Sequence, residues 1–233
     1  MSYKKNAGLQ PKTRFTIVIP ARNEVANIEK CLHSILKNQY PKELFEIIVV
    51  DDFSTDDTAH VVLQLQKQFT NLKLVQLKDH IISKQNSYKK KSIETAISFA
   101  AYEWIVTTDA DCEVKISWLH MFDACIQEKA PFFIAAPVKF TNTGSFISIF
   151  QCLDFISLQG ITAASVSAGM LSMCNGANLV YRKDAFYMVD GFKGVDDIAS
   201  GDDMLMMHKI KKQFPGKATY LFSKDAIVST PPM

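Results

Sequence analysis

Phe15-Thr-Ile-Val-Ile-Pro-Ala-Arg-Asn-Glu24 is an apolar run that ends abruptly in polar residues. The run is continuous rather than alternating, which is typical of a strand buried on both faces of a parallel sheet. Apolar residues then recur at helical spacing, at positions 28, 31, 32 and 35. The stretch therefore predicts a strand followed by a helix, the unit from which α/β folds are built.

The same unit recurs three times downstream. Further buried strands are predicted at Phe45–Val50, Leu72–Leu77 and Trp104–Thr108. Helices are predicted from the Ser54/Asp57 capping-box pattern through Phe69, over about Lys90–Tyr102, and over Trp118–Glu128. Four strand–helix units in the first half of the chain indicate a mostly parallel, Rossmann-like sheet with right-handed crossovers.

The regular alternation of strands and helices ends after the fourth predicted helix. An apolar run at Phe132–Pro137 and a long amphipathic stretch at Thr143–Met170 precede shorter elements, predicted as a strand at Ala177–Tyr181, a helix at Asp202–Gln213 and β-like pieces at Ala218–Phe222 and Ala226–Val228. No repeat or linker divides the chain. We therefore expect a single domain over residues 1–233, with a nucleotide-binding front half (about 14–112) and a mixed back half (113–233).

The composition excludes several classes of protein. Hydrophobic residues make up 48% and charged residues 21%, and the net charge of +2 argues against a duplex nucleic acid partner. The five cysteines lack CxxC spacing, which favours reduced thiols in the cytoplasm. Residues 1–12 contain no apolar signal segment, and Phe146–Val166 is too polar for a lipid-facing span. We expect the chain as given to be soluble.

Polar clusters containing acidic residues follow three of the first four predicted strands, at the edge where ligands bind to open sheets. The sharpest signal is Asp109 and Asp111 after the fourth strand: if the chain bends there, both carboxylates can turn towards one point. Such hard oxygen ligands suit Mg²⁺ or Mn²⁺ completed by substrate phosphates. The alternative is an ordinary Asp-containing turn.

Other clusters leave two interpretations open. Asp51 and Asp52 can accept hydrogen bonds from a nucleoside or simply end a strand, and Asp203 is a candidate general base or a helix cap. Lys89-Lys-Lys91 is a solvated run or places one ammonium on donor phosphates. Asn175-Gly-Ala-Asn178 is a tight turn or lets a sugar approach the backbone.

Taken in order, these segments resemble the family 2 glycosyltransferases with the GT-A fold, the group that includes cellulose- and hyaluronan-synthase-like enzymes. The matching pieces are Val18–Glu24, Val49–Thr58, the lysine-rich start of the third helix, Thr107–Asp111, Asn175–Asn178, Gly191-Phe192 and Gly201–Asp203. They extend over nearly the whole chain, and the ordered set is more specific than any single motif.

The resemblance implies a role for each matching residue. It implies donor binding by Pro20, Ala21, Arg22, Glu24, Asp52, Lys90, Asp109, Gly176, Ala177 and Asn178. It implies a metal site at Asp109 and Asp111, with Asp111 the direct ligand of Mg²⁺ or Mn²⁺. It implies that Asp203 is the catalytic base of an inverting transfer and that Asp202 is its neighbour, so that the back half carries the base and the acceptor.

The resemblance further implies a nucleotide-sugar donor, with a UDP-sugar expected, and a polysaccharide, other glycan or lipid acceptor at the cytoplasmic face of the membrane. Two features depart from the family pattern: Tyr88 stands where a glycine usually precedes the lysine, and the Gln-x-x-Arg-Trp motif of processive members is absent. We expect either a truncated chain, with a membrane anchor beyond Met233, or a short non-processive enzyme. The remaining alternatives are a haloacid-dehalogenase-like phosphohydrolase and an inactive nucleotide-sugar-binding subunit.

Overall fold

The computed structural model describes residues 9–81, 88–141, 144, 146–167, 174–194 and 201–232. Within these ranges the strands are β1 (Phe15–Ala21), β2 (Phe45–Asp51), β3 (Leu72–Gln76), β4 (Trp104–Thr107), β5 (Phe133–Ala135), β6 (Val138–Phe140), β7 (Leu179–Arg182), β8 (Ala218–Tyr220) and β9 (Val228–Thr230). The α-helices are α1 (Ile28–Leu36), α2 (Thr58–Gln66), α3 (Tyr88–Phe99), α4 (Trp118–Lys129), α5 (Phe146–Ser167), α6 (Lys183–Met188) and α7 (Asp202–Gln213).

Seven of these strands form one sheet in the order β3-β2-β1-β4-β7-β5-β8. The first four in this order run parallel, as the alternating pattern predicts. β7 is inserted antiparallel between β4 and β5, and β8 is parallel to β5. The strands β6 and β9 pair separately as a small parallel sheet. The predicted mostly parallel sheet with a mixed second half is confirmed.

Helices cover both faces of the large sheet. One apolar layer joins the sheet to α1, α2 and α4, and the other joins it to α3, α6 and α7. Alternate residues of β1 serve the two layers: Ile17 and Ile19 face the first layer and Val18 faces the second. Burial on both sides is the physical reason why this strand is continuously apolar.

Two local predictions are wrong. Helix α2 begins at Thr58 and makes no side-chain cap at Asp57, because the Ser54 hydroxyl instead accepts the backbone N–H of Asn23. The strand predicted from Ala177 begins only at Leu179, because residues 176–178 form a 3₁₀ turn.

The amphipathic stretch forms α5, and Ile149 and Leu153 on it are 43% and 61% exposed. The remainder of that prediction, at positions 168–170, lies outside the described residues. In the part of the chain that the structure describes, no helix has both the length and the apolarity needed to cross a bilayer.

Candidate active site

A cleft of about 260 Å³ opens beyond the carboxyl ends of β1, β2 and β4. Its lining comes from the last two residues of β1, from the loops that follow the three strands and from the first turn of α3: Pro20, Ala21, Arg22, Glu24, Asp52, Lys89, Asp109, Ala110 and Asp111. Ligands of open parallel sheets bind at this edge, because the strands point their carboxyl ends and the following loops towards it. The structure therefore brings together seven of the residues predicted from the sequence to bind donor or metal.

The loops after β1 and β2 brace each other. The backbone N–H of Asn23 donates to Ser54 Oγ at 3.0 Å, and the side-chain oxygen of Asn23 accepts the Thr55 N–H at 2.8 Å. Glu24 N–H donates to Thr58 Oγ1 at 2.8 Å. The left-handed conformation of Asn23 (φ 55°) is held by these bonds, so one wall of the cleft is fixed before any ligand arrives.

Asp52 contributes a buried carboxylate to this wall. The residue is 7% exposed, and Asp51 and Asp52 each have a buried Oδ1 with no hydrogen-bond partner among the described residues. Burial raises the pKa of Asp52; the Arg22 guanidinium, 4.0 Å away, opposes the rise and Asp51 adds to it. An unsatisfied buried acceptor is costly to folding.

Asp109 and Asp111 follow β4, which ends at Thr107, and both line the cleft. Their carboxylates have different protein partners. Asp109 Oδ1 lies 2.7 Å from Lys89 Nζ, whereas Asp111 Oδ2 accepts the Thr230 hydroxyl at 3.0 Å. The bend after the strand thus allows both side chains to reach one cleft, as the sequence predicts.

Two buried thiols lie beneath this pair. Cys31 Sγ donates to the Asp109 carbonyl at 3.6 Å, and Cys112 Sγ contacts Asp111 Oδ1 at 3.5 Å. Burial raises the pKa of both thiols, that of Cys112 to about 12, and the negative charges of Asp109 and Asp111 act in the same direction. The cysteines are therefore neutral packing groups at physiological pH.

The donor set at Asp109 and Asp111 fits Mg²⁺ or Mn²⁺. Both offer hard carboxylate oxygens at the cleft, and among the described residues no group of three or more His, Cys, Asp or Glu side chains forms a closed metal cage. Such an open site suits a cation that keeps waters and is completed by substrate phosphates, since Mg²⁺ is usually bound through one or two carboxylates.

Asp203 stands in the first turn of α7 and borders a smaller neighbouring cavity rather than the main cleft. Its Oδ2 accepts the Gly176 N–H and its Oδ1 accepts the Met204 N–H, each at 2.7 Å. Gly176 connects the two regions, since a β-carbon added to it would lie 3.7 Å from Asp203 Oδ2 and 3.9 Å from Lys89 Nζ. The candidate base therefore adjoins the Lys89 end of the cleft.

Four predicted donor-binding residues do not line the main cleft: Gly176, which borders the smaller cavity, and Lys90, Ala177 and Asn178. One catalytic candidate cannot be assessed. Lys90 is 3% exposed and does not line the cleft; Lys89 does, because one residue along a helix turns the side chain by about 100°. Ala177 is buried at 3% exposure. The side chain of Asp202 lies outside the described part of the structure.

Asn178 is a structural residue rather than a lining residue. It is fully buried, its Oδ1 accepts the Trp118 indole N–H at 3.1 Å, and its amide donates to the carbonyls of Pro137 and Ala226 at 2.7 and 2.8 Å. Both amide hydrogens are thus used by the protein. The prediction that Asn178 lines the sugar pocket is wrong.

The sequence interpretation also missed two residues. Lys89 belongs to the predicted lysine run, but the resemblance to the family motif assigned the donor contact to Lys90. Thr230 gives no local signal, because its contact with Asp111 spans 119 positions in the chain.

Comparison with known proteins defines the class. The model of Glycosyl transferase family 2 matches residues 16–187. This chain therefore belongs to that family. Glycosyltransferase AglE of Haloferax volcanii is 26% identical over 212 residues, which cover 91% of this chain and 65% of AglE.

Solved structures show the same fold. Staphylococcus aureus TarS 1–349 in complex with UDP-GlcNAc has a TM-score of 0.67 and 20% identity, covering 95% of this chain and 59% of TarS 1–349. The mannosyltransferase PcManGT of Pyrobaculum calidifontis, in complex with GDP-Man and Mn²⁺, has a TM-score of 0.73 and 20% identity. The match covers 97% of this chain and 58% of the PcManGT chain.

These comparisons confirm the predicted glycosyltransferase family and GT-A fold. Membership of this family argues against the alternative of a haloacid-dehalogenase-like phosphohydrolase. This chain spans about three fifths of the length of these similar proteins.

Proposed function

We propose that this protein transfers a sugar, with inversion, from a nucleoside diphosphate donor to an acceptor hydroxyl. The observation that carries the proposal is the placement of Asp52, Asp109 and Asp111 in one cleft at the ends of three parallel strands, with Asp203 adjoining it through Gly176. In the strand order β2 and β4 flank β1, so Asp52 and the Asp109–Asp111 pair enter the cleft from either side of β1. Ligands of open parallel sheets bind at this edge.

The nucleoside end is assigned to the wall formed by Arg22, Glu24 and Asp52. Asp52 lines the cleft, and its carboxylate supplies an acceptor for a base N–H or ribose hydroxyl. The braced loop around Asn23 keeps this wall rigid, which lowers the entropic cost of binding.

The diphosphate end is assigned to Asp109, Asp111 and Lys89. A divalent cation held by the two carboxylates would neutralise the charge on the diphosphate. The Lys89 ammonium, already 2.7 Å from Asp109, supplies a second positive group beside the departing phosphates.

The transfer itself is assigned to Asp203. Its carboxylate takes the proton of the acceptor hydroxyl, the hydroxyl oxygen forms the new glycosidic bond at the anomeric carbon, and the donor C–O bond breaks with its electron pair leaving on the nucleoside diphosphate. The backbone N–H groups of Gly176 and Met204 orient the carboxylate for this step.

We propose a UDP-sugar as the donor, Mn²⁺ or Mg²⁺ as the cation, and a glycan or lipid acceptor at the cytoplasmic face of the membrane. Support comes from the UDP-GlcNAc bound to TarS and the GDP-Man and Mn²⁺ bound to PcManGT. The five cysteines form no disulfide in the part of the chain that the structure describes, which agrees with a reducing compartment.

The discriminating experiment is Asp203→Asn, with the exposed Asp225→Asn as a matched control. We expect Asp203→Asn to bind UDP or GDP with Mn²⁺ as tightly as the parent, measured by thermal stabilisation, and to lose about 10²–10⁴-fold in transfer. Asp225→Asn should match the parent in both. Parental turnover in Asp203→Asn would refute the assignment of the base, and failure of the parent to bind any nucleoside diphosphate would refute the donor class.

A further inference from the structure

The last described strand contacts Asp111 through a side-chain hydrogen bond. Thr230, the final residue of β9, donates its hydroxyl hydrogen to Asp111 Oδ2 at 3.0 Å. Asp111 Oδ1 receives the weaker Cys112 thiol contact at 3.5 Å. The Thr230 hydroxyl has one hydrogen, and it is donated to Asp111 Oδ2. This bond restrains the position of Oδ2 and therefore the rotation of the Asp111 carboxyl group about its χ2 bond.

The backbone around Thr230 is held from two sides. Its carbonyl accepts the Thr141 N–H at 2.9 Å, and Thr230 is in register with Phe140 of β6. On the other side, Ser229 exchanges two backbone bonds of 2.8 and 2.9 Å with Glu113, two residues beyond Asp111. The hydroxyl of Thr230 is thus fixed relative to the Asp109–Asp111 loop by main-chain bonds.

We infer that Thr230 is a positioning residue for the metal site: its hydroxyl holds the Asp111 carboxylate in one orientation, in which the carboxylate would serve as a ligand of the divalent cation. The inference rests on the proposed function, because it assumes that Asp111 is the metal ligand. Outer-shell groups that orient a ligand typically change metal affinity or activity by about 10–100-fold when removed. A pre-oriented carboxylate also avoids losing rotational freedom at the moment of binding.

The test compares Thr230→Val, which keeps the shape and removes the hydroxyl, with Thr230→Ser, which keeps the hydroxyl. Ser229→Ala serves as a control on the same strand. Mn²⁺ binding is measured by electron paramagnetic resonance, with Mn²⁺ alone and with UDP or GDP. We expect the Mn²⁺ dissociation constant to rise about tenfold in Thr230→Val and to stay within about twofold in Thr230→Ser and Ser229→Ala.

A kinetic readout separates positioning from general damage. In Thr230→Val the half-saturating Mn²⁺ concentration should rise by about the same factor, whereas turnover at saturating Mn²⁺ should recover to within a few-fold. The melting temperatures of all three variants should stay within a few degrees of the parent.

Parental Mn²⁺ affinity in Thr230→Val, combined with loss of binding in Asp111→Asn, would overturn the role of Thr230 and leave the proposed function standing. Equal loss in Thr230→Val and Thr230→Ser would also overturn it, because the retained hydroxyl should rescue binding. If the parent protein binds no Mn²⁺ with or without nucleotide, the metal site itself fails and the inference fails with it.

Discussion

Lys89 Nζ lies 2.7 Å from Asp109 Oδ1, so an ammonium from the first turn of α3 meets a carboxylate from the loop after β4, and both residues line the cleft. The two side chains are 43% and 36% exposed. An ion pair this accessible contributes little to stability, typically less than about 1 kcal/mol. Its position therefore matters for binding more than for folding.

Lys89→Met tests whether the Lys89 ammonium serves donor binding rather than folding. We expect the KM for the sugar nucleotide to rise by about tenfold or more, because the ammonium no longer faces the diphosphate, while the melting temperature changes little. Lys91→Met is the matched control, since Lys91 pairs with Glu94 on its own helix. Steady-state kinetics would contradict the account if both variants gave the same KM.

Asp52→Asn should separate stability from binding. Because burial raises the pKa of Asp52, the folded protein holds this proton more tightly than the unfolded chain, so the contribution of Asp52 to stability is present in acid and lost as pH rises through that pKa. The neutral variant should therefore be more stable than the parent at about pH 7.5, and the difference should vanish towards about pH 4.

The same variant should bind nucleotide more weakly, because a charged acceptor is replaced by a neutral amide. Urea unfolding at the two pH values and titration with UDP or GDP measure the two effects. A variant that is less stable than the parent at neutral pH would contradict the assignment of Asp52 as a costly, ligand-directed carboxylate.

Asn178→Ala should lower the stability of the protein without weakening nucleotide binding. The substitution leaves the Trp118 indole N–H and two carbonyls without their buried partner, so we expect the free energy of unfolding to fall by about 2–4 kcal/mol. Nucleotide affinity should be unchanged at a temperature where the variant is folded. A large loss of affinity with unchanged stability would restore Asn178 to the sugar pocket.

The sequence predicts the front half of this fold well because its information there is local. The continuous apolar runs at Phe15–Ala21 and Phe45–Asp51 reflect burial on both faces, and the polar residues after them fall at the edge where ligands bind. The carboxyl ends of parallel strands lie at the same edge of a sheet, which is why Asp52, after β2, and Asp111, after β4, could be placed together.

The rest depends on contacts that local patterns do not encode. The insertion of β7 between β4 and β5 is decided by packing of distant segments. The choice between Lys89 and Lys90 depends on the rotation of α3, and the Thr230–Asp111 bond joins residues 119 positions apart. The Ser54 hydroxyl caps no helix because a tertiary partner, the Asn23 N–H, competes for it.

The most direct test of the account measures whether Asp111 makes nucleotide binding depend on metal. Titration calorimetry with UDP and GDP, with and without Mn²⁺, would be run on the parent, on Asp111→Asn and on Glu113→Gln, a control on the same loop whose carboxylate pairs with Lys30. We predict that Mn²⁺ tightens binding of at least one nucleotide by about tenfold in the parent and in Glu113→Gln, and that Asp111→Asn loses this gain while keeping its fold. An equal Mn²⁺ effect in Asp111→Asn, or none in the parent, would contradict a cation-assisted sugar transfer in this cleft.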